Sequence, residues 1–195
     1  MTEFHFGKLL GQGMERACYL NEEHPDRCFK VSKKEHSKQT LREAAYFKFL
    51  QKKNIVPSFM PKFFGLHETA DSYILEQEYI PSTPQTPAMT LHDFVLQASN
   101  EEMRDLDNLL DKLLDEMLRL NIIVSDMRTT NILVLTHERK PVKIIIFDGY
   151  GAPEFIPLPN WFRCLGAQKI HRQWNKFQRY YDTDKKLRAE TRPNN

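Results

Sequence analysis

The sequence predicts an α+β chain in two lobes, a small β-rich lobe followed by a mostly helical one. Three observations carry this. The first 35 residues alternate in hydropathy between turn residues, a proline-rich uncharged stretch interrupts the chain at residues 81–90, and beyond it a long helical stripe precedes two β-branched runs.

In chain order, FHFGKLL, RACYL and DRCFKVS read as three antiparallel strands, with Gly11 and Gly13 in the first junction and NEEHPD in the second. Thr40-Leu-Arg-Glu43 then has the form of a capping box, and Leu41, Ala44, Phe47 and Leu50 recur at helical spacing, predicting a helix to about Lys53. After Pro57 and Pro61, FFGLHE and YILEQEY read as two further strands, so the first lobe, residues 1–80, has the order βββαββ. PSTPQTPAMT, residues 81–90, is predicted to be a semi-rigid linker rather than part of an element, and a hinge is expected between Glu78 and Thr90. The second lobe, residues 91–195, opens with a short helix at Leu91 to Leu96. A core helix follows at Asp105 to Leu120, with Leu106, Leu109, Leu110, Leu113, Leu114, Met117 and Leu118 on one stripe. NILVL and VKIIIF, joined by the polar THERKP, predict a hairpin.

Composition narrows the class. Charged residues at 28% and hydrophobic ones at 41% are globular proportions, and 195 residues suffice for one core or two small lobes. No stretch nears the roughly 20 apolar residues of a membrane span, and the N-terminus has no basic region followed by an apolar run. Cys18, Cys28 and Cys164 lack zinc-ligand spacing and read as reduced thiols, so a cytoplasmic protein is expected. The net charge is +2, but nine Lys and Arg face three Asp and Glu from Trp161 onward. There Ile170, Trp174, Phe177 and Tyr181 form one helical stripe, with Lys169, Arg172, Lys176 and Arg179 on the other sides. The first reading is a docked helix with a solvated basic face; contact with a membrane surface or nucleic acid is the subordinate one.

Phosphoryl transfer from ATP requires a loop that approaches phosphates, a cation on them, Mg²⁺ ligands and a carboxylate near the acceptor hydroxyl. Gly11-Gln-Gly13 provides a loop without side chains in the way, although the same residues suit an ordinary hairpin turn. Lys30 follows on the third strand, and Glu43 in the next helix is its candidate ion-pair partner or, alternatively, only a cap for Thr40. Ile122-Ile-Val-Ser-Asp126-Met-Arg-Thr-Thr-Asn131 is the most specific signal. Its Asp-x4-Asn spacing, with an apolar strand directly behind, puts a carboxylate beside an acceptor while an amide oxygen reaches a metal. Asp148-Gly149 ends the hairpin's second strand, where the carboxylate suits Mg²⁺ as a hard oxygen donor. Each of these residues alone fits a cap or a turn; their joint order is what points to chemistry.

That order resembles the protein-kinase-like superfamily over residues 4 to 150, and RCFKV and IPLPNWFRCLGAQKIHRQWNKF are similar to the bacterial YrbL family, known as PhoP regulatory network proteins. The resemblance implies a bilobal protein-kinase-like fold with a reduced helical C-lobe, and ATP with Mg²⁺ in the cleft between lobes. Lys30 would contact the phosphates, Glu43 orient it, Asn131 and Asp148 hold the metal, Asp126 act on the acceptor proton, and Arg128 neutralise the transferred phosphoryl group. Cys18 and Cys28 would face the adenine, or be no more than small buried hydrophobes. Glu78 and Ile80, at the expected hinge, join the nucleotide contacts. The implied partners are ATP and an unidentified phosphoryl acceptor or protein.

Departures bear on activity. Arg16 stands where the third glycine of the loop belongs, Val124-Ser125 replaces the His-Arg before the catalytic Asp, and Gly149-Tyr150 replaces Phe-Gly. Ala152-Pro153-Glu154 follows Asp148 too closely to close an activation segment, and the residues beyond it are too few for a peptide-binding helical platform. The expectation is therefore small-molecule phosphorylation or autophosphorylation, against nucleotide sensing by a pseudokinase that acts through a partner.

Overall fold

The computed structural model describes residues 4–151 and 163–191, and the chain divides into two compact units. The first comprises the chain up to Ile55 together with Pro61–Pro81; the second comprises Val56–Met60 and the chain from Ser82. Ala152, Pro153 and Glu154 lie outside the described residues.

The first unit is an antiparallel sheet of β1 (Phe6–Gln12), β2 (Arg16–Asn21), β3 (Arg27–Lys33), β4 (Phe63–Glu68) and β5 (Ser72–Glu78), in the order β1-β2-β3-β5-β4, with α1 (Lys38–Lys52) against it. Strand β3 is central, and Cys28, Phe29, Lys30 and Ser32 are all buried. One face is aromatic: Phe4 and Phe6 meet the Phe29 ring edge-on at 5.7 and 5.5 Å. On the other face, two polar contacts connect sheet and helix. Ser32 Oγ donates to Thr40 Oγ1 at 3.0 Å, and Lys30 Nζ donates to Glu43 Oε1 at 3.0 Å. The strand's period of two and the helix's i,i+3 neighbours bring these pairs into step, 30 with 43 and 32 with 40.

This differs from the capping box expected at Thr40–Glu43. The helix starts earlier, at Lys38, and Ser37 precedes it without a side-chain cap, so Thr40 and Glu43 lie inside the helix and point at the sheet. Leu41, expected on the apolar stripe, is exposed, while Tyr46 is buried with Ala44, Phe47 and Leu50.

In the second unit, α2 (Leu91–Gln97), α3 (Asn100–Leu120) and α4 (Arg163–Thr191) accompany a three-stranded sheet of β6 (Ala88–Thr90), β7 (Ile132–His137) and β8 (Lys140–Ile146). Strand β6 occupies the last three residues of the expected linker: free of proline, Ala88–Thr90 pair with Leu133–Leu135 of β7. Val56–Met60 also departs from the predicted division, because Ile146 N donates to Phe59 O and Glu116 accepts from Ser58 N. Helix α3 is closed by a capping box at Ser99 and Glu102 and ends on Asn121 in the left-handed region, φ 57°. Burial alone would raise the Glu102 carboxyl, but hydrogen bonds from Ser99 and the Arg139 guanidinium outweigh it and hold the carboxyl below its ordinary range. Leu106, Leu110, Leu113 and Met117 are its buried stripe, each contributing about 1.5–3 kcal/mol of burial.

Helix α4 buries Ile170, Trp174, Phe177 and Tyr181 as predicted, and is fastened by His92 Nδ1 with Asp184 Oδ1 at 2.9 Å and by Tyr181 Oη donating to Asp107 at 2.8 Å. Lys169, expected on the solvated face, is buried; Arg172, Lys176 and Arg179 are exposed. No helix among the described residues is long and apolar enough to cross a membrane.

Candidate functional site

Two residue clusters carry the predicted chemistry, one in each unit. In the first, β2 and β3 pair with Cys18 opposite Lys30, so both residues face the same side, and Cys28, two residues earlier on β3, joins them. The hydrogen bond with Cys18, and next burial, push the Cys28 thiol well above its ordinary value. It is a neutral apolar wall rather than a nucleophile.

Lys30 and Glu43 are nearly inaccessible, with side chains 6% and 0% exposed. Glu43 has a second cation: Arg16 Nη1 donates to its Oε2 at 2.5 Å, and the Arg16 side chain is 9% exposed. The glutamate is thus held at both oxygens, from adjacent strands. At this depth it cannot be a solvated surface charge, and the pairing is what makes its burial tolerable.

Gly11 lies near the end of β1, opposite Cys18, and Gly13 opens the turn into β2, closed by Gly13 N donating to Arg16 O at 2.8 Å. A Cβ added at Gly11 would meet nothing within 4 Å, and one at Gly13 only Arg16 O at 3.8 Å. The protein itself does not fill the space these glycines leave, which fits a loop that admits phosphates. At the end of β5, Glu78 is fixed by Glu78 N donating to Lys62 O at 2.8 Å and by Lys62 N donating to Glu78 Oε2 at 3.0 Å. Ile80 lies two residues beyond, partly exposed.

The second cluster is built on the β7–β8 hairpin. Because Ile132 pairs with Ile146, Asn131 stands opposite Phe147, whose N–H donates to Asn131 O at 3.1 Å. Asp148 is the next residue, so strand register alone brings Asn131 and Asp148 to one end of the hairpin. Asn131 Nδ2 donates to Asp126 O at 3.1 Å and to Asp126 Oδ2 at 3.4 Å, so the asparagine is tied to the loop that carries Asp126. Asp148 Oδ1 accepts from Gly149 N at 2.6 Å.

Gly149 fixes the third member. Its carbonyl accepts from Ser125 N at 2.8 Å and from Asp126 N at 3.3 Å, and Val124 bridges Tyr150. At φ +89° it is in a region L-residues rarely adopt, and a Cβ there would lie 2.6 Å from Asp126 O. Asp126 is about half exposed, and its Oδ1 accepts from Arg128 Nε at 2.8 Å. Arg128 also lies over Tyr180 of α4 at 5.9 Å.

An amide oxygen and one or two carboxylates are hard donors, too few for a cage, and among the described residues no group of three His, Cys, Asp or Glu converges on one point. Mg²⁺ takes such partial sets, completing its shell with phosphates and water. The donors present fit Mg²⁺ carried by a nucleotide.

Sequence reasoning registered Arg16 and Gly149 only as departures from a pattern. The signal for each was its position: Arg16 opens a strand beside Lys30, and Gly149 follows a metal-type Asp.

Comparison with solved structures places the fold. The chain is similar to the protein kinase Rad53, residues 1–466 in complex with AMP-PNP, at TM-score 0.56 and 19% identity, over 75% of this chain and 38% of that one. The chain thus has a kinase-like α+β fold, and it spans well under half the length of that structure. A profile described as PhoP regulatory network protein YrbL matches residues 4–182, and the chain belongs to that family. YrbL of Escherichia coli (strain K12) and YrbL of Shigella flexneri are each 27% identical over 172 residues, covering 86% of this chain and 82% of theirs.

Proposed function

We propose that this protein binds Mg²⁺-ATP and transfers its terminal phosphoryl group to an acceptor. The buried Lys30–Glu43 pair carries the reading, since two charges are removed from water on the sheet face where a nucleotide phosphate would need a cation. Lys30 neutralises the phosphates. Asn131 and Asp148 hold the Mg²⁺ that accompanies them, and the metal supplies charge stabilisation for the transferred group. Asp126 orients and deprotonates the acceptor, with Arg128 beside it to neutralise developing charge. Cys18, Cys28, Glu78 and Ile80 lie on the adenine side.

A second reading, a pseudokinase that binds nucleotide and regulates a partner, is favoured by Val124-Ser125 in place of His-Arg and by the family's description as regulatory network proteins. Incubation with ATP labelled at the γ-phosphate separates the two. The phosphotransferase yields labelled protein, free phosphate or a labelled metabolite above the level given by Asp126→Asn. A wild-type protein that binds Mg²⁺-ATP and transfers nothing to itself, to water or to a metabolite panel is the pseudokinase.

A further inference from the structure

We infer that Arg16, in place of the loop's third glycine, is a positioning residue that locks Glu43 and, through it, Lys30 for phosphate binding. The inference rests on the nucleotide reading above and extends it. Three observations converge on it. Arg16 opens β2 directly opposite Ser32, two residues from Lys30 along β3, so its side chain leaves the sheet on the face that α1 covers. It is buried to 9% exposure, an unusual state for a residue beside a glycine turn unless it is paired. Its guanidinium holds Glu43 Oε2 at 2.5 Å while Lys30 holds Oε1 at 3.0 Å.

The two cations therefore cooperate rather than compete. A glutamate gripped by lysine alone can rotate its carboxylate or leave with its helix. Gripped from two adjacent strands, it has one arrangement, and Lys30 is held at a fixed height above the sheet. The fork of an arginine suits this task because its donors are planar and rigid, whereas a lysine supplies only a point charge. A glycine at this position would make the loop more pliable and leave Oε2 without this donor.

Titration calorimetry with Mg²⁺-ATP and with adenosine tests this on the wild type, Arg16→Gln and Arg16→Lys, each with and without Lys30→Met. Arg16→Gln is expected to weaken Mg²⁺-ATP about tenfold and adenosine less than twofold, with Arg16→Lys in between. In the Lys30→Met background, Arg16→Gln is expected to cause no further loss, since the lysine it positions is gone. Equal affinity of wild type and Arg16→Gln for Mg²⁺-ATP overturns the inference while leaving the nucleotide reading standing. Equal losses for ATP and adenosine, or a loss that persists undiminished without Lys30, overturn it in favour of a structural or direct contact. A wild type that binds no Mg²⁺-ATP overturns both. Should Arg16→Gln not fold, Arg16→Lys against wild type, with and without Lys30→Met, separates the same outcomes.

Discussion

Glu43→Gln is the perturbation whose consequences the structure defines most closely. The substitution keeps size and shape but removes a charge that is 0% exposed and is shared between Lys30 at 3.0 Å and Arg16 at 2.5 Å. The amide oxygen can still accept from one cation, but its NH₂ must face the other, donor against donor. Removing one partner of a buried ion pair costs about 3–5 kcal/mol; with one acceptor retained, about 3 kcal/mol is expected. For a chain of this length that lowers the melting midpoint by about 6–12 °C, within the usual stability margin, so the protein still folds. Lys30 loses its anchor at the same time, and Mg²⁺-ATP affinity falls about tenfold. Circular-dichroism melts and calorimetry of the same preparation measure both. Glu68→Gln is the control: the Lys34–Glu68 pair is exposed at 38% and 58%, and its loss leaves the midpoint unchanged. A Glu43→Gln protein that melts and binds like wild type refutes the reasoning, and one that melts lower yet binds ATP normally confines the pair to a structural role.

Other parts of the account make further demands. Gly149→Ala forces a left-handed φ and a 2.6 Å approach to backbone at Asp126, so it is expected to destabilise the protein by about 2–4 kcal/mol and to abolish transfer, measured by denaturant unfolding and turnover. Asp126→Asn, by contrast, is expected to keep Mg²⁺-ATP affinity within about threefold while lowering turnover about 10²-fold or more. Alkaline pH probes the packing. The Cys28 thiol is raised from 9.0 by the Cys18 hydrogen bond and burial, and the Tyr181 hydroxyl from 10.0 by burial and Asp107. Groups bound more tightly to their protons in the folded state contribute fully below those ordinary values, and their contribution is lost as pH rises beyond them. The melting midpoint is expected to fall above about pH 9, and Tyr181→Phe to flatten the fall above about pH 10; a flat wild-type profile would contradict this packing.

Much of the fold was legible because periodicity and turn residues act locally. The alternation in DRCFKVS placed Lys30 on β3, and the stripe through Leu106, Leu110, Leu113 and Met117 placed α3 on its sheet. What eluded the sequence depended on long-range pairing. Ala88–Thr90 looked like linker because a short uncharged run has no signal of its own, and it becomes β6 only through β7. Lys169 looked like one more surface cation, yet it lies on the buried side of α4. Thr40 and Glu43 satisfy a capping rule by spacing, but the sheet opposite them offers Ser32, Lys30 and Arg16, and they pair there from inside a helix that begins at Lys38. The site residues were legible as types and spacings. The Asn131–Asp148 juxtaposition came from strand register, and the dual grip on Glu43 from side chains that spacing does not rank.

The central claim is that the chain binds Mg²⁺-ATP through its own acidic and amide oxygens. Thermal shift of the wild type and Asp148→Asn with millimolar ATP, with and without Mg²⁺, addresses it most directly, because a ligand that binds the folded state must raise apparent stability. The account predicts a rise for wild type that is larger with Mg²⁺ than without, and for Asp148→Asn a rise that no longer depends on the metal. A wild-type midpoint that does not move with Mg²⁺-ATP, or a Mg²⁺-dependent rise that Asp148→Asn leaves intact, would contradict it.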